Sequence, residues 1–126
     1  MRDAVLTHNH PSGGPLSTPD LSLLVKGDLA GIRATSTHTD YELWNVRQTG
    51  NKDDFPWEYY QAQKAIEQKL DPIFHKAEND YVTDRISKSE FHAICDDLNV
   101  QLDEARREWL KANAAKYGFR YTETRR

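Results

Sequence analysis

The sequence predicts an α+β fold in which a small sheet carrying one helix is followed by an α-helical hairpin. Short runs of apolar, β-branched and aromatic residues between positions 4 and 47 are typical of strands. After position 55 the apolar residues recur at steps of three and four, which is typical of long amphipathic helices. We therefore expect a lobe at residues 1–48 and a helical extension at residues 49–126.

The first elements are a strand, a tight corner and a helix. Residues 4–6 form an apolar run that the following turn bounds as a buried strand. Prolines and glycines at positions 11–15 forbid regular structure and turn the chain. Thr18 is the predicted N-cap of the helix, with Pro19 at its first position. An apolar stripe predicts this helix over residues 20–30, with Gly31 ending it.

Two strands and a linker complete the lobe. Residues 32–37 and 41–47 are rich in β-branched and aromatic side chains, and His38 to Asp40 read as the hairpin loop between them. With the first strand they make a sheet of about three strands. Residues 48–54 contain glycine, asparagine and two aspartates without periodicity, which indicates a linker.

The extension reads as two helices and a short strand. Residues 55–81 form the first helix, which Pro72 either kinks or restarts with Asp71 as a cap. After a turn within residues 79–87, the strongest helical pattern runs over residues 89–116 and stops at Gly118. We expect an antiparallel hairpin whose second arm protrudes if the first does not match it. Residues 119–122 predict a terminal strand.

Composition narrows the possible partners. The 126 residues are 37% apolar and 29% charged, with a net charge of -3, so we do not expect a nucleic-acid partner. Mean hydropathy is -0.85, and no apolar run approaches the ~18 residues of a membrane span. The single cysteine, Cys95, excludes an internal disulfide and fits a reducing compartment. We expect a cytoplasmic protein without a membrane anchor.

The corner carries the side chains that predict chemistry. His8 and His10 alternate along the first strand, so both imidazoles lie on one face of it. Ser17 and Asp20 follow at a spacing of three around the helix start. A carboxylate in that first turn can reach back to the histidines. Two neutral imidazoles and one carboxylate leave a fourth position open, as in catalytic zinc sites.

The pattern His8-x-His10-Pro11, a glycine and proline loop, then Ser17-x-x-Asp20 resembles the JAMM (MPN/JAB) metalloprotease motif. It is most similar to the RadC-like and the phage- or toxin-associated branches, which points to a bacterial or phage-infected cell. The resemblance covers residues 4–47. It implies that His8, His10 and Asp20 bind zinc, and that Ser17 stabilises the oxyanion during hydrolysis of a peptide or isopeptide bond in a protein substrate.

The chain departs from the family pattern in two places, of which the spacing is a tolerable loop variation and the missing glutamate lowers the expected activity. Six residues separate His10 from Ser17, where the commonest form of the motif has seven. The family's general base is a glutamate well upstream of the histidines, and the seven residues before His8 contain only Asp3 as an acid. General-base catalysis contributes ~10²- to 10⁴-fold, so this chain alone should show weak or no activity. It resembles the carboxy-terminal half of the domain, which leaves three alternatives: a piece cut from a longer protein, a natural remnant, or a half whose missing strands a partner or a second copy supplies.

Other interpretations stay open. The corner can be a structured turn in which Asp20 stabilises a helix N-terminus and Ser17 caps it. The whole chain can be a noncatalytic assembly module that keeps a JAMM-like scaffold and self-associates, since the first strand would otherwise expose an unpaired edge. A RadC-like role in DNA metabolism rests on motif similarity alone and is opposed by the net charge.

The remaining notable side chains have structural interpretations. We place the three downstream histidines outside the site and interpret Cys95 as a small core residue. The tryptophans are predicted packing anchors, with Trp57, Tyr59 and Tyr60 joining the two parts of the chain. Arg106 and Arg107, between glutamates, predict a solvated helix face. The downstream histidines are His38, His75 and His92, and the other two tryptophans are Trp44 and Trp109.

Overall fold

The chain combines one mixed sheet with a short helix and a long helical hairpin, which confirms the predicted α+β class. The structure, a computed structural model, describes residues 4–9, 15–46 and 52–125. Within these residues the elements are β1 (Val5–Asn9), α1 (Thr18–Lys26), β2 (Gly31–Thr35), β3 (Thr39–Asn45), α2 (Asp54–Val82), α3 (Lys88–Asn113), a 3₁₀ turn (Ala114–Tyr117) and β4 (Phe119–Arg125). The strand order is β1-β2-β3-β4.

Strands β1 and β2 are parallel neighbours connected through α1, in the register that pairs Leu6 with Ile32. Leu6 and Ile32 both face α1 and the core. The N-cap of α1 is Ser17, so the prediction of Thr18 was wrong. Both residues are good caps, and the choice follows the backbone: Ser17 is extended, with φ -93° and ψ 166°.

Helix α1 is also shorter than predicted, because Gly27 rather than Gly31 follows its last turn. Asp28 then adopts a left-handed conformation with φ 48° and turns the chain back. Ala30 donates its N–H to the carbonyl of Ala4, 2.9 Å away, and so aligns the next strand. Gly31 belongs to β2, where a Cβ would lie only 2.6 Å from the ring of Trp44.

The β2–β3 hairpin was predicted correctly, with its loop displaced by two residues. The loop contains residues 36–38, while Thr39 and Asp40 belong to β3. The Ser36 hydroxyl donates to the Thr39 carbonyl at 2.7 Å and accepts the Thr39 N–H at 3.1 Å. These bonds add to the backbone hydrogen bond from the Ser36 N–H to the Thr39 carbonyl, at 2.9 Å, and close the turn.

The helical hairpin is confirmed, and its arms are nearly equal in length. Helix α2 has 29 residues and α3 has 26, so the second arm does not outrun the first. Tyr59 and Trp109 meet near the sheet with ring centroids 5.4 Å apart, and Tyr81 stacks on Phe91 at 4.9 Å near the tip. These contacts define an antiparallel pair. No helix in the described ranges is long and apolar enough to cross a membrane.

Pro72 lies inside α2 and does not divide it. The prediction that Asp71 caps a new helix was therefore wrong, since α2 continues from Asp54 to Val82. Proline removes one N–H donor from the helical ladder. Packing against α3 on both sides of the proline, at Tyr59 and at Tyr81, keeps the helix in one piece.

The terminal strand is confirmed and raises the sheet from three strands to four. Gly118 adopts φ 87°, the left-handed conformation that suits glycine, and ends the helical segment. Strand β4 then pairs antiparallel with β3, with Asn45 opposite Phe119. The whole helical hairpin is consequently inserted between two neighbouring strands.

A single hydrophobic core contains side chains from both segments of the chain, before and after residue 49. From the lobe it takes residues such as Leu21 and Leu43, and from the extension Phe55, Tyr59 and Leu110. The Phe55 ring is the centre of the aromatic part, stacked on Tyr117 and on Phe119 with centroids 5.0 Å away in each case. The two segments therefore fold around the same apolar side chains.

The three tryptophans were predicted to be packing anchors, and they differ in how far they are buried. Trp109 packs against the core, as predicted. Trp57 is 59% exposed and stacks on the ring of Tyr60, itself 37% exposed. Trp44 is partly buried and covers Gly31. Trp57 and Tyr60 therefore lie at the surface, where they line a cleft together with residues of α1, while Tyr59 joins the two segments through the core.

An ion pair ties α3 to β4. Arg107 donates from Nε and Nη2 to the two carboxylate oxygens of Glu123, at 2.8 and 2.9 Å. Tyr121 donates its hydroxyl to Glu123 Oε2 at 2.6 Å. These bonds, chiefly those from Arg107, lower the pKa of Glu123 to about 2. Arg107 thus faces the sheet, and the prediction of a solvated face was wrong for it.

We predict that Glu123→Gln lowers the free energy of unfolding by about 1–2 kcal/mol at neutral pH, allowing for solvent screening. The folded-state pKa lies below the ordinary value of 4.5, so the contribution is present above pH 4.5 and is lost as the pH falls toward 2. Urea denaturation at several pH values measures this. The exposed Glu104→Gln is the matched control, and an equal effect of both variants would contradict the prediction.

Candidate functional site

The corner before α1 fixes Asp20 through reciprocal hydrogen bonds. Asp20 donates its backbone N–H to Ser17 Oγ at 3.2 Å, and Ser17 donates its own N–H to Asp20 Oδ2 at 3.0 Å. This capping box uses two donors that the helix start would otherwise leave unpaired. Asp20 is only 2% exposed, so its carboxylate is held in a defined place.

His8 lies directly against that carboxylate. It occupies β1 opposite Ala34, on the face of the sheet that α1 covers. Its Nδ1 is 2.6 Å from Asp20 Oδ1, a hydrogen-bonding distance, and the imidazole side chain is 36% exposed. The first-turn carboxylate therefore reaches back to the strand, as the spacing predicted for His8.

The structure brings three of the four predicted site residues together: His8, Ser17 and Asp20. The fourth, His10, lies outside the described residues. Among the residues that are described, no group of three His, Cys, Asp or Glu side chains is placed to hold a metal ion. His38, His75 and His92 are exposed and belong to other elements.

The donor atoms at this corner have the chemistry that zinc prefers. An imidazole nitrogen and a carboxylate oxygen are both common ligands, at about 2.0–2.2 Å from the ion. Two ligands of one tetrahedral ion lie about 3.3 Å apart, so the 2.6 Å contact must open slightly for both to bind. Of this pair, the His8 side chain is partly exposed, whereas Asp20 is buried and hydrogen-bonded to Ser17.

A second set of hydrogen bonds holds the corner from the helical hairpin. The carbonyl of Leu16, immediately before Ser17, accepts the Tyr59 hydroxyl at 2.6 Å and Arg106 Nη2 at 2.9 Å. Arg106 Nε also donates to the Tyr59 hydroxyl oxygen at 3.0 Å. We call Leu16, Tyr59 and Arg106 the corner clamp. It joins residues that are 43 and 90 positions apart in the chain.

Burial shifts the pKa values of two groups at the clamp. Desolvation raises the pKa of the Tyr59 hydroxyl above its ordinary value of 10.0, and the nearby Arg106 opposes part of that rise. Tyr59 therefore stays protonated and donates at neutral pH. Asp103 lies 3.3 Å from Arg106 Nη1, and desolvation raises its pKa despite that cation.

Sequence reasoning identified the joining role of Tyr59 and missed Arg106. The Arg106 side chain is only 14% exposed, so the prediction of a solvated face was wrong here too. A signal was present, because Arg106 follows Leu102 by four residues and precedes Leu110 by four. A cation that continues an apolar stripe indicates a buried hydrogen-bonding role.

Comparison of the chain with family models, with curated proteins and with solved structures gave no significant match.

We predict that removing the hydrogen bonds of the clamp lowers the free energy of unfolding, while the folded chain keeps its helices. Arg106→Met leaves buried acceptors with fewer donors and should cost about 1–3 kcal/mol, and Tyr59→Phe about 1–2 kcal/mol. Because the two residues share the Leu16 carbonyl, their effects should not add in the double variant. Chemical denaturation measures all three. Arg85→Met is the control, because the Arg85 side chain is 71% exposed. The clamp is refuted if the losses in free energy of unfolding add in the double variant. It is also refuted if Arg106→Met loses no more than Arg85→Met.

Proposed function

We propose that this chain is a JAMM-like zinc metallopeptidase or isopeptidase module that contains part of a hydrolytic site. The observation that supports this most is the buried Asp20 carboxylate, fixed by Ser17 and lying 2.6 Å from His8. A helix cap alone does not require a histidine from another strand at this point. The Ser-x-x-Asp corner and the histidine strand meet as the resemblance to the JAMM motif implies.

In this proposal each residue has a distinct role. His8, His10 and Asp20 hold zinc, which when bound would polarise a carbonyl and lower the pKa of water. Ser17 Oγ accepts the N–H of Asp20, and a hydroxyl that accepts still has its own hydrogen to donate. That hydrogen would stabilise negative charge on the carbonyl oxygen of a peptide or isopeptide substrate.

The edge of the sheet supports an incomplete site. Strand β1 is the first strand of the described sheet, and only β2 pairs with it there. Ala4 accepts a hydrogen bond from Ala30, so the alternate residues Leu6 and His8 also turn their backbone groups toward β2. Val5, Thr7 and Asn9 then direct theirs to the other side. A further strand carrying the general base would pair there, directly beside His8.

We predict that the full chain binds close to one equivalent of zinc and that His8→Ala and Asp20→Asn bind much less. Asp20→Asn retains an acceptor for the Ser17 N–H, so it removes charge with little effect on the helix cap. Elemental analysis after dialysis measures the stoichiometry. Bound zinc should also raise the melting temperature, and a chelator should reverse the rise.

The exposed histidines provide the control for this zinc experiment. His38→Ala and His75→Ala should retain the zinc of the wild-type chain, because both lie away from Asp20. If the wild-type protein holds no more zinc than His8→Ala, the hydrolase proposal fails. A scaffold without metal would then be the better description.

In the described part of the sheet only β2 pairs with β1, which also favours a second candidate function, that of a noncatalytic assembly module that self-associates. We predict that light scattering across a dilution series shows association for the wild-type chain and a monomer for Thr7→Pro. Proline removes an outward N–H and is tolerated at sheet edges. Thr7→Val keeps the N–H and should associate like the wild type. A wild-type chain that stays monomeric at high concentration excludes this candidate.

A further inference from the structure

The helical hairpin is much longer than the sheet requires. Strands β3 and β4 are antiparallel neighbours, which a turn of two to five residues can connect. Only the base of the hairpin contributes to the core, through Phe55 and Tyr59 on α2 and Leu110 on α3. From residue 63 to the tip, α2 extends about 30 Å beyond that core.

This outer part of the hairpin buries little of its own apolar surface. Ala77 and Leu98 are its buried hydrophobic residues within the described chain, and Ile73 is 48% exposed. Two helices share only one seam, so the apolar residues beside that seam stay open. Such faces commonly receive a further helix.

One side of the seam forms an apolar cleft with an acidic rim. The cleft has a volume of about 250 Å³. We call it the acidic cleft; four apolar side chains form its walls, namely Leu70, Phe74, Leu98 and Leu102. Glu67 and Asp71 lie at its rim, and no lysine or arginine lines it. Lys64 pairs with Glu67 at 3.3 Å and also interacts electrostatically with Asp71, which makes no closer ion pair in the part of the chain that the structure describes.

The charge of the hairpin is opposite in sign to that of the rest of the chain. Residues 54–113, which span both helices, contain thirteen Asp and Glu against eight Lys and Arg, a net charge of -5. The whole chain has a net charge of -3, so the remaining residues carry +2. A field of this sign attracts cationic groups and repels another acidic hairpin.

We propose that the acidic cleft binds a cationic amphipathic helix from a partner protein. Apolar side chains of that helix would fill the space between Phe74 and Leu102, and its lysines or arginines would face Asp71 and Glu67. A second copy of this hairpin has a similar apolar face but is also acidic, so the two copies would repel each other. The partner is therefore a different segment, which is basic. The proposal does not depend on metal at the candidate site.

The test uses the full chain and a fluorescent helical peptide of leucine and lysine as the probe. Fluorescence anisotropy should show saturable binding that weakens with salt. The same peptide with glutamate in place of lysine should bind far more weakly. Neutralising the rim with Glu67→Gln and Asp71→Asn together should weaken the lysine peptide about fivefold.

A matched variant separates the cleft from general attraction to an acidic hairpin. Glu78→Gln with Asp84→Asn removes the same charge from the same hairpin outside the cleft, and asparagine suits the left-handed φ of 60° at residue 84. This control should retain nearly the wild-type affinity. Equal weakening in both double variants would overturn the proposal.

Cys95 provides an independent reading of where the probe binds. It is the single cysteine of the chain and lines the acidic cleft. Bound peptide should slow its alkylation by iodoacetamide several-fold, and an unchanged rate at saturation would place the peptide elsewhere and overturn the proposal. If light scattering shows instead that the wild-type chain dimerises and that the dimer itself protects Cys95, a second copy occupies the cleft and the proposal is wrong.

Discussion

The carbonyl oxygen of Leu16 is the point on which the corner and the hairpin both depend. It is buried, so it needs donors from within the protein, and Tyr59 and Arg106 supply them from two different helices. The residue that follows begins the capping box that fixes Asp20. A backbone group in the lobe is thus held by side chains of the extension, and the two parts of the chain cannot order independently at this place.

The hydrogen bonds to Leu16 also help to position the side chains of the candidate site. Asp20 has a defined position because the Ser17 N–H binds its carboxylate, and because the corner clamp binds the carbonyl of Leu16, the residue before Ser17. His8 approaches from β1, the strand at the side of the sheet where a further strand would pair. The corner is therefore held from the side of the hairpin, and of the two side chains in contact only His8 is partly exposed.

The sequence predicted what local patterns determine and missed what distant contacts determine. Alternation and turn residues located the strands, and the Ser-x-x-Asp spacing located the corner. Ser17 and Thr18 are both good caps, so only the backbone conformation distinguishes them. The buried role of Arg106 depends on a carbonyl 90 positions away, and the continuity of α2 through Pro72 depends on packing against α3. A short stretch of sequence contains neither of these distant contacts. The predicted position of His10 stays a prediction, because His10 lies outside the described residues.

The insertion of the helices between two adjacent strands has a consequence for size. Because the insertion leaves from the end of β3 and returns at the start of β4, adding or deleting whole turns in both arms leaves the strand register unchanged. Each turn alters the reach by about 5.4 Å. The number of helical turns therefore sets how far the tip of the hairpin stands from His8 and Asp20.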